Sequence, residues 1–154
     1  MRVAYLKDGL VDEKAASDAV LTLLRLQRAL ERVGAGLTPQ QYRILKLAGA
    51  GGERSARLAE RLAVAKPTLT ATADGLVAVG FAQRTTEPGD RRVVRLCLTE
   101  KGRAALQRAD AAYRGWLDDL LGYAADPAEI LAALAALDAA MDERRQARLA
   151  ESPA

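Results

Sequence analysis

The sequence predicts a mainly α-helical chain with one small β-hairpin: a winged helix-turn-helix flanked by N- and C-terminal helices. Three observations carry this. Residues 55–102, SARLAERLAVAKPTLTATADGLVAVGFAQRTTEPGDRRVVRLCLTEKG, read as helix, turn, helix and then a hairpin with a charged tip. On both sides of that stretch, apolar residues recur at spacings of three and four, the period of a helix with one buried face. Half of the 154 residues are hydrophobic but only 4% are aromatic, so the core is drawn from Leu, Val and Ala, a composition that favours helix.

Each element follows from local chemistry. From Glu13 to Val33, Ala16, Val20, Leu23 and Leu30 form one stripe, widened by Leu24 and Leu26, and Gly34 and Gly36 end the helix. Thr38 is placed as N-cap of the next helix, with Pro39 at its first position and Gln41 as the reciprocal capping-box partner. That helix runs to about Ala48, buries Tyr42, Leu45 and Ile44, and stops at Gly49, Gly51 and Gly52. Ser55 to Ala63 is a short helix with Leu58, Ala59 and Leu62 inward, and residues 63–65 make the turn. Pro67 suits the first turn of helix 67–79, which buries Leu69, Ala73, Leu76 and Val77 and is capped by Gly80.

The hairpin comprises a strand over 81–86, a turn at Glu87-Pro88-Gly89-Asp90 and a returning strand over 92–98. Val94, Leu96 and Leu98 share the all-apolar face, which should be the buried one. Thr99 caps a helix reaching about Tyr123, with Leu106, Tyr113, Leu117 and Leu120 on one stripe. Asp126-Pro127-Ala128-Glu129 is a second capping box, opening a last helix with Ile130, Leu134, Leu137 and Met141 at heptad-like spacing. Arg144, Arg145 and Arg148 favour its C-terminal end electrostatically, and Glu151 to Ala154 is expected to be a frayed tail. Three regions result: residues 1–36 with an N-terminal dimerisation helix, 37–102 with the winged helix-turn-helix, and 103–154 with the C-terminal dimerisation helices. A monomer whose terminal helices cover a single core is the alternative arrangement.

Composition narrows the function. The chain contains no histidine, which removes the commonest general base and zinc ligand. The sequence offers no metal-ligand cluster, phosphate-cradling glycine loop or placed nucleophile, so neither an enzyme nor a bound cofactor or metal is expected. The single cysteine, Cys97, lies in an alternating strand and is read as a small core residue rather than a redox sensor. No apolar run is long enough for a membrane span, the first residues are too polar for a secretory signal, and the cytoplasm is the expected location. The net charge of +3 is localised. Residues 55–102 hold eight Lys/Arg against five Asp/Glu, and the rest of the chain holds fifteen of each. All the positive excess therefore sits in the winged segment, as contact with phosphate requires.

Within that segment, helix 67–79 is the candidate recognition helix, with Lys66, Thr68, Thr70 and Ala71 at its outward N-terminal positions. Helix N-termini attract phosphate, and short hydroxyl side chains reach backbone oxygens or base edges. The wing tip carries Asp90, Arg91 and Arg92. Arginines on a hairpin beside such a helix suit a narrow minor groove, where negative potential is focused, and Asp90 suits a brace that fixes them.

These residues resemble the MarR family of transcription regulators. The resemblance is carried by LTPQQYRILKLA at 37–48, LAERLAVAKPTLT at 58–70, DGLVAVGFAQR at 74–84 and DRRVVRLCLTEKG at 90–102. It implies a homodimer with interlaced terminal helices that binds double-stranded DNA at a pseudo-palindromic operator as a repressor released by a small-molecule effector. By position, Lys66, Thr68 and Thr70 fall in the family's recognition helix. Asp90 and Arg92 match its wing pair, and Arg91 fills the variable position between them. Members often sense small phenolic or anionic compounds, and a pocket walled by Tyr42, Tyr113 and Trp116 is the expectation here. The oxidant-sensing subclass does not match, because no cysteine lies in the first helix.

Three positions depart from the family pattern. Ala65 replaces a serine that caps the recognition helix, forfeiting about 1 kcal/mol of helix stability. Ala71 and Gly75 stand where basic residues are frequent. The thin basic charge of helix 67–79 leaves a second reading open, a winged-helix protein-interaction module without DNA binding.

Overall fold

The computed structural model describes residues 12–49, 53–62, 64–87 and 90–151; for 53–57, 87, 90–93 and 149 the backbone alone is described. The elements in chain order are α1 (Glu13–Arg32), α2 (Pro39–Ala48), β1 (Glu53–Arg54), α3 (Ser55–Leu62), α4 (Lys66–Ala78), β2 (Ala82–Glu87), β3 (Asp90–Leu98), α5 (Glu100–Leu121) and α6 (Pro127–Glu151). The chain forms two compact units, Met1–Arg114 and Gly115–Ala154.

In the first unit, α2 begins where the capping box requires. Thr38 Oγ1 accepts from Gln41 N at 3.2 Å, and Gln41 Oε1 accepts from Thr38 N at 3.0 Å. α2, α3 and α4 each turn an apolar line inward. Ile44, Leu45, Leu58, Leu62, Leu69 and Leu76 meet Leu96 and Leu98 of β3 and Ala109 of α5 in one cluster. The face of β3 expected to be buried is the buried one, with Leu96 and Leu98 in the core and Val94 half-buried.

The sheet differs from the two-strand hairpin expected from sequence. It has three antiparallel strands in the order β1-β3-β2, with Glu53 opposite Leu96 and Arg54 opposite Arg95. Two residues are too few for a period-2 pattern to register, and β1 runs directly into α3. β2 starts at Ala82 rather than at 81 and extends to Glu87, and β3 starts at Asp90 rather than at 92. Pro88 and Gly89 of the expected turn, Ala63 of the α3–α4 turn, and Gly51 and Gly52 after α2 lie outside the described residues.

α4 ends in a Schellman motif. Gly80 adopts φ +76°, its N–H donates to Val77 O at 2.9 Å, and the Phe81 N–H donates to Leu76 O at 2.9 Å. This fixes the chain's exit from α4 into β2. At the far end of the hairpin, Thr99 N donates to Phe81 O at 3.2 Å and Thr99 Oγ1 donates to Gly80 O at 2.7 Å. The same Oγ1 accepts from Gly102 N at 3.0 Å and caps α5, as the sequence indicates.

The apolar stripes of α1 and α5, read from the sequence as dimerisation surfaces, are not fully buried in the single chain. On α5 Gly102, Ala105, Ala109 and Leu121 are buried, while Leu106, Tyr113 and Leu117 are half-buried and Leu120 is exposed. Small side chains let α5 lie close to the core, so the larger residues fall at the edge of the contact. On α1 no residue is buried, and Val20, Leu23 and Leu24 are 56%, 49% and 54% exposed.

In the second unit, Asp126 Oδ1 accepts from Glu129 N at 2.9 Å and starts α6 at Pro127. Glu151 is helical rather than frayed, and residues 152–154 lie outside the described residues. Ile130, Leu131, Leu134 and Leu137 of α6 are all exposed, as is Met141. Among the described residues no helix is long and apolar enough to cross a membrane.

Candidate nucleic-acid interface

α4 has one buried and one accessible face, which separates anchoring from presentation. Leu69, Ala73 and Leu76 are buried, whereas Lys66, Pro67, Thr68, Thr70, Ala71, Asp74 and Gly75 are exposed. Lys66, Thr68, Thr70 and Ala71 thus all lie on the accessible surface of the first turns. Ala65 occupies the N-cap with extended backbone and makes no side-chain cap bond. The free N–H groups and the partial positive charge at this end remain available to an anion.

The threonine hydroxyls are not idle. Thr70 Oγ1 donates to Lys66 O at 3.0 Å and Thr72 Oγ1 donates to Thr68 O at 2.9 Å. With its proton committed to the helix, Thr70 presents lone pairs and a methyl group outward, a surface suited to donor base edges and thymine methyls rather than to phosphate.

The hairpin rises from the same body. Along β2 and β3 the register holds from Ala82 opposite Leu98 to Thr86 opposite Val94, then shifts. Continued straight, the ladder would place Glu87 opposite Val93; instead Glu87 pairs with Asp90. Arg91 and Arg92 therefore lie in an irregular part of the ladder, where a bulge bends and twists the strand. Asp90, Arg91 and Arg92 belong to β3, and their side chains are outside what is described.

Side-chain contacts tie the hairpin, α4 and α5 together, among them Arg103 Nη1 of α5 donating to Leu98 O of β3 at 3.3 Å. Arg84 Nη2 lies 2.6 Å from Asp74 Oδ1, joining β2 to α4. Lys101 Nζ donates to Val79 O at 2.8 Å and stands 5.4 Å from the centre of the Phe81 ring. The hydroxyl–thiol contact of Thr85 Oγ1 and Cys97 Sγ, at 3.4 Å, links β2 to β3, and Cys97 is half-buried.

The aromatic residues proposed as pocket walls are placed as follows. Tyr42 and Tyr113 meet edge to face with ring centres 4.9 Å apart. Tyr42 Oη donates to Asp110 Oδ1 at 2.7 Å, and Tyr113 Oη donates to Leu37 O at 3.0 Å. Trp116 belongs to the second unit and is half-buried. Asp110, which sequence reasoning passed over, organises this region: Lys46 Nζ lies 2.5 Å from its Oδ1 and Arg114 Nε 3.3 Å from its Oδ2. The bond from Lys46, reinforced by that from Tyr42, holds the Asp110 carboxyl below its usual range. Burial and the bond to Asp110 raise the Tyr42 phenol, and the bond to Asp110 raises the Lys46 ammonium.

Asp110→Ala should therefore cost about 1–3 kcal/mol, because it strands a half-buried phenol and removes a charged acceptor. Urea unfolding of the two proteins measures it. The sign with pH is fixed. The Asp110 contribution is complete above the unfolded carboxyl range and is lost as pH falls through its lowered folded value. The Tyr42 and Lys46 contributions are complete below their unfolded values and are lost as pH rises through the raised folded ones.

Comparison with known proteins places this geometry. The model of the MarR family matches residues 37–94. An HTH-type transcriptional regulator of Mycobacterium tuberculosis is 32% identical over 114 residues, covering 71% of this chain and 79% of that one. Among solved structures, the transcriptional repressor CouR bound to a 23-mer DNA duplex is 28% identical, with a TM-score of 0.74 over 92% of this chain and 98% of that one. The M. tuberculosis transcriptional regulator MOSR in complex with DNA is also 28% identical, with a TM-score of 0.63 over 85% of this chain and 98% of that one.

Proposed function

The chain belongs to the MarR family of transcriptional regulators, and from that premise we propose that it is a dimeric repressor of a pseudo-palindromic operator in double-stranded DNA, acting in the cytoplasm. α4 enters the major groove with Lys66, Thr68, Thr70 and Ala71 at the base edges and flanking phosphates. Arg92, with Arg91 beside it and Asp90 as brace, enters the neighbouring minor groove. The observation that carries this reading is the division of α4. Leu69, Ala73 and Leu76 lock it into the core, yet its N-terminal turns stay exposed on the body that also carries the hairpin. The DNA-bound relatives, at 28% identity, support the same docking.

Two copies are part of the proposal. The apolar residues left exposed on α1 and on α6 are covered by a second protomer, and two-fold symmetry then sets half-sites about one helical turn apart. An effector acts by preferring the spacing of the two winged domains that does not fit the operator; its coupling to DNA is its differential affinity for the two shapes. A small phenolic or anionic compound against Tyr42 and Tyr113 is the class to screen.

Anisotropy titration of the protein against duplex fragments retained from its own genome tests the reading. Binding should weaken steeply with salt, since each neutralised phosphate adds close to one to the slope of log K against log salt. A protein-interaction module docking through apolar surface would show no such slope. Arg92→Ala should weaken operator binding by about tenfold or more and lower the salt slope by about 1, with helicity and sedimentation unchanged. Wild-type affinity in that variant would remove the minor-groove assignment.

A further inference from the structure

α4 carries a single acidic residue, Asp74, at an exposed position of the helix assigned to DNA. A carboxylate there repels phosphate, so electrostatics alone makes it a handicap. Its partner explains its use. Arg84 sits opposite Leu96 in the β2–β3 ladder, and opposed residues share a sheet face. Arg84 therefore leaves the sheet on the side of Ala82 and Leu96, the side packed into the core, and reaches Asp74 at 2.6 Å.

At its base the hairpin is held to α4 by the Gly80–Phe81 turn, with its Schellman and Thr99 bonds, and by the core cluster that Ala82, Leu96 and Leu98 share with Leu69, Ala73 and Leu76. Apolar packing is non-directional, whereas a charged pair farther along both elements adds a directional restraint on the angle between them. Asp74 lies four residues before the end of α4, about 6 Å along the helix axis. Arg84 lies two residues into β2, about 6–7 Å along the strand. The ion pair therefore joins recognition helix and wing at a point displaced from the turn that links them.

We propose that the Asp74–Arg84 ion pair is a positioning device that sets the angle between α4 and the wing, so that helix and hairpin meet adjacent grooves together, without either residue contacting DNA. This rests on the reading of the chain as a DNA-binding regulator. Both side chains are about half exposed, so the pair adds little to folding stability, and its loss should be felt in DNA binding instead.

The test compares wild type, Asp74→Ala, Arg84→Gln and the double variant, all as full-length dimer. Each is titrated against the operator duplex and a random duplex of equal length, with circular dichroism and sedimentation as checks of fold and assembly. The positioning role predicts that Asp74→Ala weakens operator binding by about tenfold while random-duplex binding holds or tightens, since a negative charge has been removed. It also predicts that the double variant binds no worse than the weaker single, because both singles break the same contact. Operator binding by Asp74→Ala equal to or tighter than wild type overturns it. Losses that multiply in the double variant also overturn it, and would make Arg84 an independent phosphate ligand. If wild type retains no duplex at all, the regulator reading falls and this inference with it. Normal wild-type binding with an unaffected Asp74→Ala removes this inference alone.

Discussion

Gly102→Ala is expected to destabilise the first unit by at least about 3 kcal/mol, at or beyond the upper end of ordinary overpacking in a core. A Cβ at position 102 would stand 1.8 Å from Phe81 O, 2.7 Å from Phe81 C and 3.2 Å from Phe81 Cα. These are backbone atoms, so no rotamer change relieves the clash. Neither side can retreat. Phe81 is held by its N–H bond to Leu76 O, and Gly102 is held by its N–H bond to Thr99 Oγ1. Moving either one breaks the α4 terminus or the α5 cap. Single domains are stable by about 5–15 kcal/mol in total, so a loss of this size should show as a large drop in urea midpoint and a lowered Tm. Gly75→Ala is the matched control of opposite sign. Nothing lies within 4 Å of a Cβ there and the residue is exposed within a helix, so the variant should gain roughly 0.5–1 kcal/mol. Equal midpoints for Gly102→Ala and wild type would mean that α5 does not pack on Phe81 as described.

The contrast between these glycines shows which features the sequence reveals. Thr38 with Gln41, and Thr99 with Gly102, are contacts between residues three apart, so the pattern along the chain is the contact itself. The helices, the buried face of β3 and the candidate recognition helix were legible for the same reason, since periodicity is local. What stayed hidden joins residues distant in sequence. Asp110 meets Lys46 across 64 residues and Tyr42 across 68, and nothing in ADAAYRG around it announces either partner. Asp74 and Arg84 are ten positions apart on different elements, so their meeting depends on the β2 pleat and the turn at Gly80. β1 escaped because a two-residue strand has no period. The sequence puts Leu106, Tyr113, Leu117 and Leu120 on one stripe of α5, whereas the residues of α5 buried in the single chain are Gly102, Ala105, Ala109 and Leu121. How close two elements approach is set by the smallest side chains between them, which hydrophobicity alone does not rank.

Leu134→Glu is expected to raise the dimer dissociation constant by at least about a hundredfold and to abolish operator binding at nanomolar protein. α6 spans 25 residues, and from Pro127 to Arg144 every residue is exposed in the single chain, including Ile130, Leu134 and Leu137. Isolated helices gain little from propensity alone, so a helix of this kind depends on covering its apolar face. In the proposed two-fold dimer each substitution is present twice. Fully burying a leucine contributes about 1.5–3 kcal/mol, so two lost leucines remove about 3–6 kcal/mol before the cost of placing carboxylates in an apolar seam is added. Each 1.4 kcal/mol is tenfold, which places the loss at about two to four orders of magnitude. The monomer should keep the core built on Ile44, Leu45, Leu76 and Leu96, because Leu134 is not part of it. Near-native helicity in the first unit with a halved sedimentation mass is therefore the expected signature. Operator affinity should fall further than for any single α4 or wing variant, since losing the partner removes one complete half-site rather than one contact. An unchanged sedimentation profile would mean that α6 is not the dimer seam, and the exposed residues of α1 would then be the next surface to probe by Leu23→Glu.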